Sequence, residues 1–260
     1  GMVEIVAPAK VNLFLRVLAR EASGYHQLET LFCGLEFSDR LIVEKSPSGV
    51  TLQVHGDLSI PPGENLAFQA AERFLGAGEV GEGVRLRLIK EIPAGAGLGG
   101  GSSDAAATLL GLSSLFPGST SFQDLLKIAG SLGSDIPFFL SPSPLTLAWG
   151  RGERLLPLPP LPPRPVVLAL PALSVSTAEA YAGLAASGGG RDTRAGPGVL
   201  TRKAFSGWHE VDEAACNDFE PVIFDQYPLL GELRDALKAA GASVSLLAGS
   251  GAAVFGLFDD

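Results

Sequence analysis

"IPAGAGLGGGSSDAA", residues 92–106, sets the fold question for the whole chain. Seven of its fifteen positions are glycine or serine (Gly95, Gly97, Gly99, Gly100, Gly101, Ser102 and Ser103), and an alanine-rich apolar run follows. The stretch before it, VRLRLIKEIP, alternates as a strand does, with Val84, Leu86 and Leu88 on one face and Arg85, Arg87 and Ile89 on the other. Strand, glycine loop and helix is the order of a phosphate-binding element. Backbone N–H groups of such a turn can crowd around phosphate oxygens, and the first turn of the helix read over 102–115 adds a partial positive charge. Ser102 and Ser103 can offer hydroxyls to phosphate or metal. The same serines, or Asp104, could instead do no more than cap the helix.

Two familiar loops fail on the residues. Gly95, Gly97 and Gly100 satisfy the spacing of a dinucleotide turn, but the region about twenty residues further on, LFPGSTS, holds neither a second strand nor an acid for a ribose. A nucleoside-triphosphate loop of the lysine-bearing kind requires Lys after the last glycine, and Gly101 stands after Gly100. A phosphoryl-transfer enzyme built on this loop would draw its cation and base from elsewhere. Lys10, in PAKVNLFL, is the only lysine of the first forty residues, and Asp135, in GSDIPFF, lies beside proline and aromatic residues. Each alone reads as a surface charge or turn residue; their co-occurrence with the loop gives them weight.

Composition bounds the rest. With 260 residues, 46% of them hydrophobic, the chain can bury a substantial core as one large domain or two modest ones. A net charge of −9 and scattered basic residues exclude a nucleic-acid surface, so any anionic ligand must be held locally. No apolar run reaches the ~18 residues of a membrane span, and the opening VEIVAPAKVNLFLRV reads as strand, not as a secretory leader. Cys33 and Cys216 read as free thiols of a reducing compartment, which gives a cytoplasmic expectation.

Along the chain, residues 3–18 read as two strands joined at Ala7, Pro8, Ala9 and Lys10, and 41–58 as two strands around a Ser-Pro-Ser-Gly turn. Asn65 is placed to cap a helix over NLAFQAAERFL, and FQDLLKIAGSLG predicts another, ending at Gly133. The proline-dense LPLPPLPPRP divides the chain into 1–155 and 156–260, unless it is a rigid loop inside one domain. SGGGRDTRAGPG, 187–198, reads as a flexible segment. LLGELRDALKAAGA is an amphipathic helix, and VSLLAGSGAAVFGLF sets a Gly-Ser-Gly turn between two strands.

Taken together, PAKVNLFLRV, GYHQLETLF, ENLAFQAA, IPAGAGLGGGSSDAAATL, LGSDIPFFL, NDFEP and LAGSGAAVFGLF strongly resemble the GHMP kinase superfamily, in its order and over about residues 5–258. The resemblance implies an α+β, two-domain GHMP kinase fold: an N-terminal ribosomal-protein-S5-like α/β domain with the ATP loop and a C-terminal ferredoxin-like α/β domain. PAKVNL with GYH and GSDIPFF points within the superfamily to kinases acting on 4-diphosphocytidyl-2-C-methyl-D-erythritol in non-mevalonate isoprenoid synthesis, with ATP and Mg²⁺ as cofactors. The implied partner is that small molecule, not nucleic acid or membrane, for a monomer or homodimer. Lys10 and Asp135 then match the catalytic pair. Asn65, Pro93, Gly95, Gly97, Leu98, Gly99, Gly100, Gly101, Ser102 and Ser103 match the ATP site. Asn12, Tyr25, His26, Thr177 and Tyr181 match the cytidyl substrate site, Tyr25 stacking on the base, His26 reading its edge, and Thr177 with Tyr181 closing the other side. Gly249, Ser250 and Gly251 match the third glycine motif. Metal ligands stay open among Ser102, Ser103 and Asp104. Rival readings are a GHMP kinase of the mevalonate or homoserine type and a non-catalytic nucleotide-binding protein.

Overall fold

The computed structural model describes residues 1–56, 60–187 and 202–259. Two long strands open the chain, β1 (Met2–Arg20) and β2 (His26–Ser46). The expected break at Ala7, Pro8, Ala9 and Lys10 is absent, because β1 runs straight through it. Proline's fixed φ is already extended, so Pro8 costs the strand one N–H donor and no change of direction. Ala7, Ala9, Val11 and Leu13, all fully buried, carry the strand across that point.

The chain divides into two compact units, each discontinuous in sequence. The first comprises Gly1–Lys10, Gly34–Ala94 and Gly99–Pro142, the second Val11–Cys33, Gly95–Leu98 and Ser143–Asp260. β1 and β2 therefore contribute to both, and the proline-dense run at 156–165 lies inside the second. Of the flexible segment read at 187–198, all but residue 187 lies outside the described residues.

In the first unit β3 (Val50–His55) is followed by α1 (Leu66–Ala77) and β4 (Gly83–Ile89). β4 lies between the other two strands, parallel to β3 with Val50 opposite Val84, and antiparallel to the second half of β2 with Val43 opposite Leu86. Its alternation is as read: Val84, Leu86 and Leu88 are buried, Arg85 and Arg87 exposed. Three more helices follow: α2 (Gly100–Leu115), α3 (Phe122–Leu132) and α4 (Ile136–Leu140). Against the strand face formed by Leu41, Val43, Val84, Leu86 and Leu88 they pack Ala70 and Phe74 of α1, Ala105, Leu109 and Leu112 of α2, Ile128 of α3 and Ile136 of α4. Asn65 caps α1, its side chain accepting from the Ala67 N–H at 2.9 Å.

In the second unit the first half of β2 pairs antiparallel with β5 (Leu145–Gly150), and β5 with β6 (Arg154–Pro157). Then come β7 (Val166–Ala169), α5 (Thr177–Ala186), α6 (Trp208–Ala214) and β8 (Cys216–Asn217), which pairs parallel with β1 at Phe14 and Leu15. The chain closes with α7 (Glu220–Gln226), α8 (Pro228–Ala239), β9 (Val244–Leu247) and β10 (Val254–Leu257). β10 sits between β7 and β9, antiparallel to both. Leu15, Val17, Ala180, Leu184, Phe219, Ile223, Leu230, Leu247 and Val254 form this unit's core. Cys33 and Cys216 are not joined in a disulfide, and burial pushes the Cys33 pKa up to about 11.

Phe74 is wholly buried among these helices and strands. Phe74→Ala is expected to lower the free energy of unfolding by about 3–5 kcal/mol in a urea titration, and a loss under about 1 kcal/mol would contradict its place in the core.

Candidate active site

Lys10 ends the first unit's portion of β1 with its side chain only 4% exposed, and its Nζ lies 3.8 Å from Oδ2 of Asp135, which is 38% exposed. Burial pulls the Lys10 pKa down, and the Asp135 carboxylate opposes that pull. Asp135 stands at the head of α4, anchored by the buried Ile136, Pro137 and Phe138, and its carboxylate makes no capping bond to that helix. The sequence placed an acid beside a buried patch; the fold uses the patch to aim the acid at Lys10.

The loop meets the first unit again at Gly99, whose φ of +70° starts α2 with no side-chain cap. A Cβ at Gly99 would lie 3.0 Å from Lys10 Cγ and from Phe139 Cζ, so glycine is required for both reasons. None of Ser102, Ser103 and Asp104 caps the helix, which removes the bland reading of these residues. Gly101 is exposed, Ser102 is half-buried, and the Ser103 hydroxyl is buried without a hydrogen-bond partner. A first helical turn of this kind presents its N–H groups to an anion.

Asp104 is committed elsewhere. Its Oδ2 accepts from Lys90 Nζ at 2.8 Å, and the same ammonium reaches Asp39 Oδ2 at 2.6 Å. Burial, reinforced by Asp39 and opposed by Lys90, pushes Asp104 up to about 8. No cluster of three or more His, Cys, Asp or Glu suited to a metal occurs among the described residues. The hydroxyls of Ser102 and Ser103 remain the side-chain donors suited to a magnesium ion that keeps mostly phosphate and water oxygens.

In the second unit, residues 95–98 dock on the third glycine motif. The Ala253 N–H donates to the Ala96 carbonyl at 3.1 Å, and Leu98 is buried. Gly97, with φ +82°, backs directly onto the carbonyl of Ala248, leaving no room for a Cβ. Pro93 and Gly95 are exposed, with Ser174 near the latter. Gly249, Ser250 and Gly251 are buried, and the hydroxyls of Ser250 and Thr177 are 3.1 Å apart. NDFEP turns out to hold this motif. Asn217 Nδ2 donates to the carbonyls of Leu247 and Gly249 at 2.9 and 2.8 Å, and Glu220 accepts from the Leu247 N–H at 2.9 Å.

The aromatic residues group differently from the expected clamp. His26 stacks on Tyr181 with centroids 4.5 Å apart and planes at 18°, and Phe219 meets Tyr181 edge-on at 5.0 Å. Burial and the positive charge of Arg20 lower the His26 pKa, which favours the neutral imidazole, able both to donate and to accept. Tyr25 is 59% exposed, and the Arg151 guanidinium lies 3.8 Å over its ring, tied to Glu21 at 2.7 Å. Asn12 is buried and donates to the Thr30 hydroxyl at 2.8 Å. Sequence reasoning missed Arg151, Phe219, Asn217, Glu220, Lys90 and Asp39; for Asn217, Phe219 and Glu220 the signal was there, as NDFEP.

These features define a GHMP kinase. The model "GHMP kinases N terminal domain" matches residues 65–142 and "GHMP kinases C terminal" matches 201–260. A 4-diphosphocytidyl-2-C-methyl-D-erythritol kinase of Pelotomaculum thermopropionicum is 43% identical, covering 100% of this chain and 90% of the relative. One of Citrifermentans bemidjiense is 39% identical over 98% of this chain and 89% of the relative. A crystal structure of 4-(cytidine 5'-diphospho)-2C-methyl-D-erythritol kinase superposes with a TM-score of 0.82 at 42% identity, covering 98% of this chain and 90% of that one. The chain belongs to the 4-diphosphocytidyl-2-C-methyl-D-erythritol kinase family of the GHMP kinases. It is thus a small-molecule kinase that uses ATP. No helix among the described residues is long and apolar enough to cross a membrane.

Because Gly97 leaves no space for a side chain, Gly97→Ala is expected to raise KM for ATP by about tenfold or more while the protein stays folded by circular dichroism. An unchanged KM would show that this close approach does not shape the loop.

Proposed function

We propose that this chain transfers the γ-phosphoryl group of ATP to the 2-hydroxyl of 4-diphosphocytidyl-2-C-methyl-D-erythritol, with Lys10 and Asp135 as the catalytic pair. The observation that carries this reading is the buried Lys10 ammonium 3.8 Å from a carboxylate that is still 38% exposed. Phosphoryl transfer through a loose transition state needs mainly positioning and charge stabilisation. Asp135 accepts the proton of the 2-hydroxyl as its oxygen bonds to the γ-phosphorus, and ADP departs with the electrons of the broken P–O bond. Lys10, stripped of water, stabilises the negative charge shared among the transferring oxygens. The N–H groups at the start of α2 hold the ATP phosphates, and Asn65 stands near the adenine. Mg²⁺, held by phosphate oxygens with Ser102 or Ser103, would neutralise part of the β- and γ-phosphate charge.

Base recognition falls to the second unit. Tyr25 and Tyr181 offer flat rings to cytosine, at about 1–3 kcal/mol of stacking per ring by analogy with nucleic-acid sites. The neutral His26 imidazole can pair with the base edge, which carries both a donor and an acceptor. Asn12, Thr177 and the third glycine motif complete the substrate site. Mevalonate and homoserine have no base for these rings, which disfavours them as acceptors. A protein that merely bound nucleotide would have no use for Asp135.

ADP release should be seen with the cytidyl substrate and not with mevalonate or homoserine; turnover with only one of the latter would refute the substrate assignment. Asp135→Asn should lose turnover by about 10²-fold or more while still binding ATP, and normal turnover in that variant would remove Asp135 as the base. Tyr25→Ala should raise KM for the cytidyl substrate more than KM for ATP, and equal effects on both would count against base stacking.

A further inference from the structure

Lys90, Asp39 and Asp104 have no part in the chemistry just described, yet they are among the most buried titratable side chains in the first unit, 6%, 0% and 3% exposed. Their bonds fall on both arms of the glycine loop. On the entry arm, Asp39 Oδ1 accepts from the N–H groups of Glu91 and Ile92 at 2.6 and 2.9 Å, fixing the end of the strand that leads into the loop. On the exit arm, Asp104 belongs to α2, in the turn after its start. The Lys90 ammonium joins the two, 2.6 Å from Asp39 Oδ2 and 2.8 Å from Asp104 Oδ2. The approach is close: a Cβ on Gly100, the first residue of α2, would lie 3.1 Å from Lys90 Nζ and 2.9 Å from Ile92 Cγ2.

A buried hydrogen-bonded trio of titratable groups is a poor way to stabilise a core, since apolar side chains of the same volume do as well or better. Directional bonds from one ammonium to two separate segments do something apolar packing does not: they fix spacing. We propose that Lys90, bridging Asp39 and Asp104, staples the entry and exit arms of the glycine loop and thereby sets its affinity for ATP. The three are positioning residues, and the link to ATP rests on the reading that this loop receives the ATP phosphates. The staple leaves the acceptor alone, because none of its bonds reaches a residue assigned to the cytidyl substrate.

Asp104 provides the discriminating pair of variants. Asp104→Asn keeps an oxygen acceptor for Lys90, whereas Asp104→Leu keeps the branched outline and removes the bridge; in both, Lys90 retains Asp39 as counter-charge, so neither strands a buried ion. Three readouts apply to the whole 260-residue chain: amide hydrogen exchange over residues 94–103 without ligand, equilibrium binding of a fluorescent ATP analogue without acceptor, and KM for the acceptor. Asp104→Leu should speed exchange in the loop and weaken nucleotide binding, each by about tenfold, with KM for the acceptor changed by less than about twofold; Asp104→Asn should stay within about twofold of the parent in all three. The staple is overturned if Asp104→Leu leaves loop exchange unchanged, or if Asp104→Asn is as impaired as Asp104→Leu, since charge and not the bridge would then matter. Failure of the parent protein to bind the analogue would instead sink the ATP reading of the loop, and exchange alone would still decide the staple.

Discussion

A lysine ammonium withdrawn from water is the constraint around which the start of α2 is built. Burial pulls the Lys10 pKa down and the Asp135 carboxylate facing it opposes that pull, and an ammonium so placed gains most from a further anion brought close. Its stem also dictates backbone. The methylenes of Lys10 occupy the space where a side chain at residue 99 would sit, so the chain must be glycine there, and Gly99 enters α2 from the left-handed region without a capping side chain. One buried side chain thus connects the ion pair with Asp135, the glycine requirement and the open N–H groups of the helix. The lysine beside the loop comes from β1, not from the loop itself.

Much of this was legible in the sequence for identifiable reasons. The alternation of β4, the cap at Asn65, the helix over 122–132 and the Gly-Ser-Gly turn between β9 and β10 are local patterns with local causes, and they form as read. β1 was misread at Pro8 because proline usually marks a turn, whereas an already extended φ lets it stay in the strand. Ser102, Ser103 and Asp104 were ambiguous for another reason: whether a serine caps, coordinates or is buried depends on what packs above it, and that is tertiary information. The pairings of His26 with Tyr181 and of Arg151 with Tyr25 lie more than a hundred residues apart in the chain, beyond any periodicity.

The second unit shows how a motif without reactive side chains can still matter. Asn217 spends both amide hydrogens on the carbonyls of Leu247 and Gly249 and its oxygen on the Phe219 N–H, so all three bonds are used inside the protein. Glu220 adds the Leu247 N–H and is itself met by Arg234 at 3.4 Å. Buried backbone groups around the third glycine motif would otherwise lack partners, which is costly where water is excluded. The motif's glycines shape the corner, and side chains from NDFEP keep it in place.

The unbroken course of β1 has a consequence for how this chain can change over time. Lys10, Asn12, Leu15 and Val17 are carried on one continuous ladder, and the Val17 N–H is held by Asp218 at 2.9 Å. In a strand with a two-residue repeat, inserting or deleting one residue between positions 10 and 17 reverses the facing of every side chain on one side of the change. Either Lys10 and Asn12 would turn from their partners or Leu15 and Val17 from the core. Substitutions along β1 can be absorbed singly, but its length between these points is fixed, so drift in this segment must proceed by exchange of residues and not by gain or loss of them.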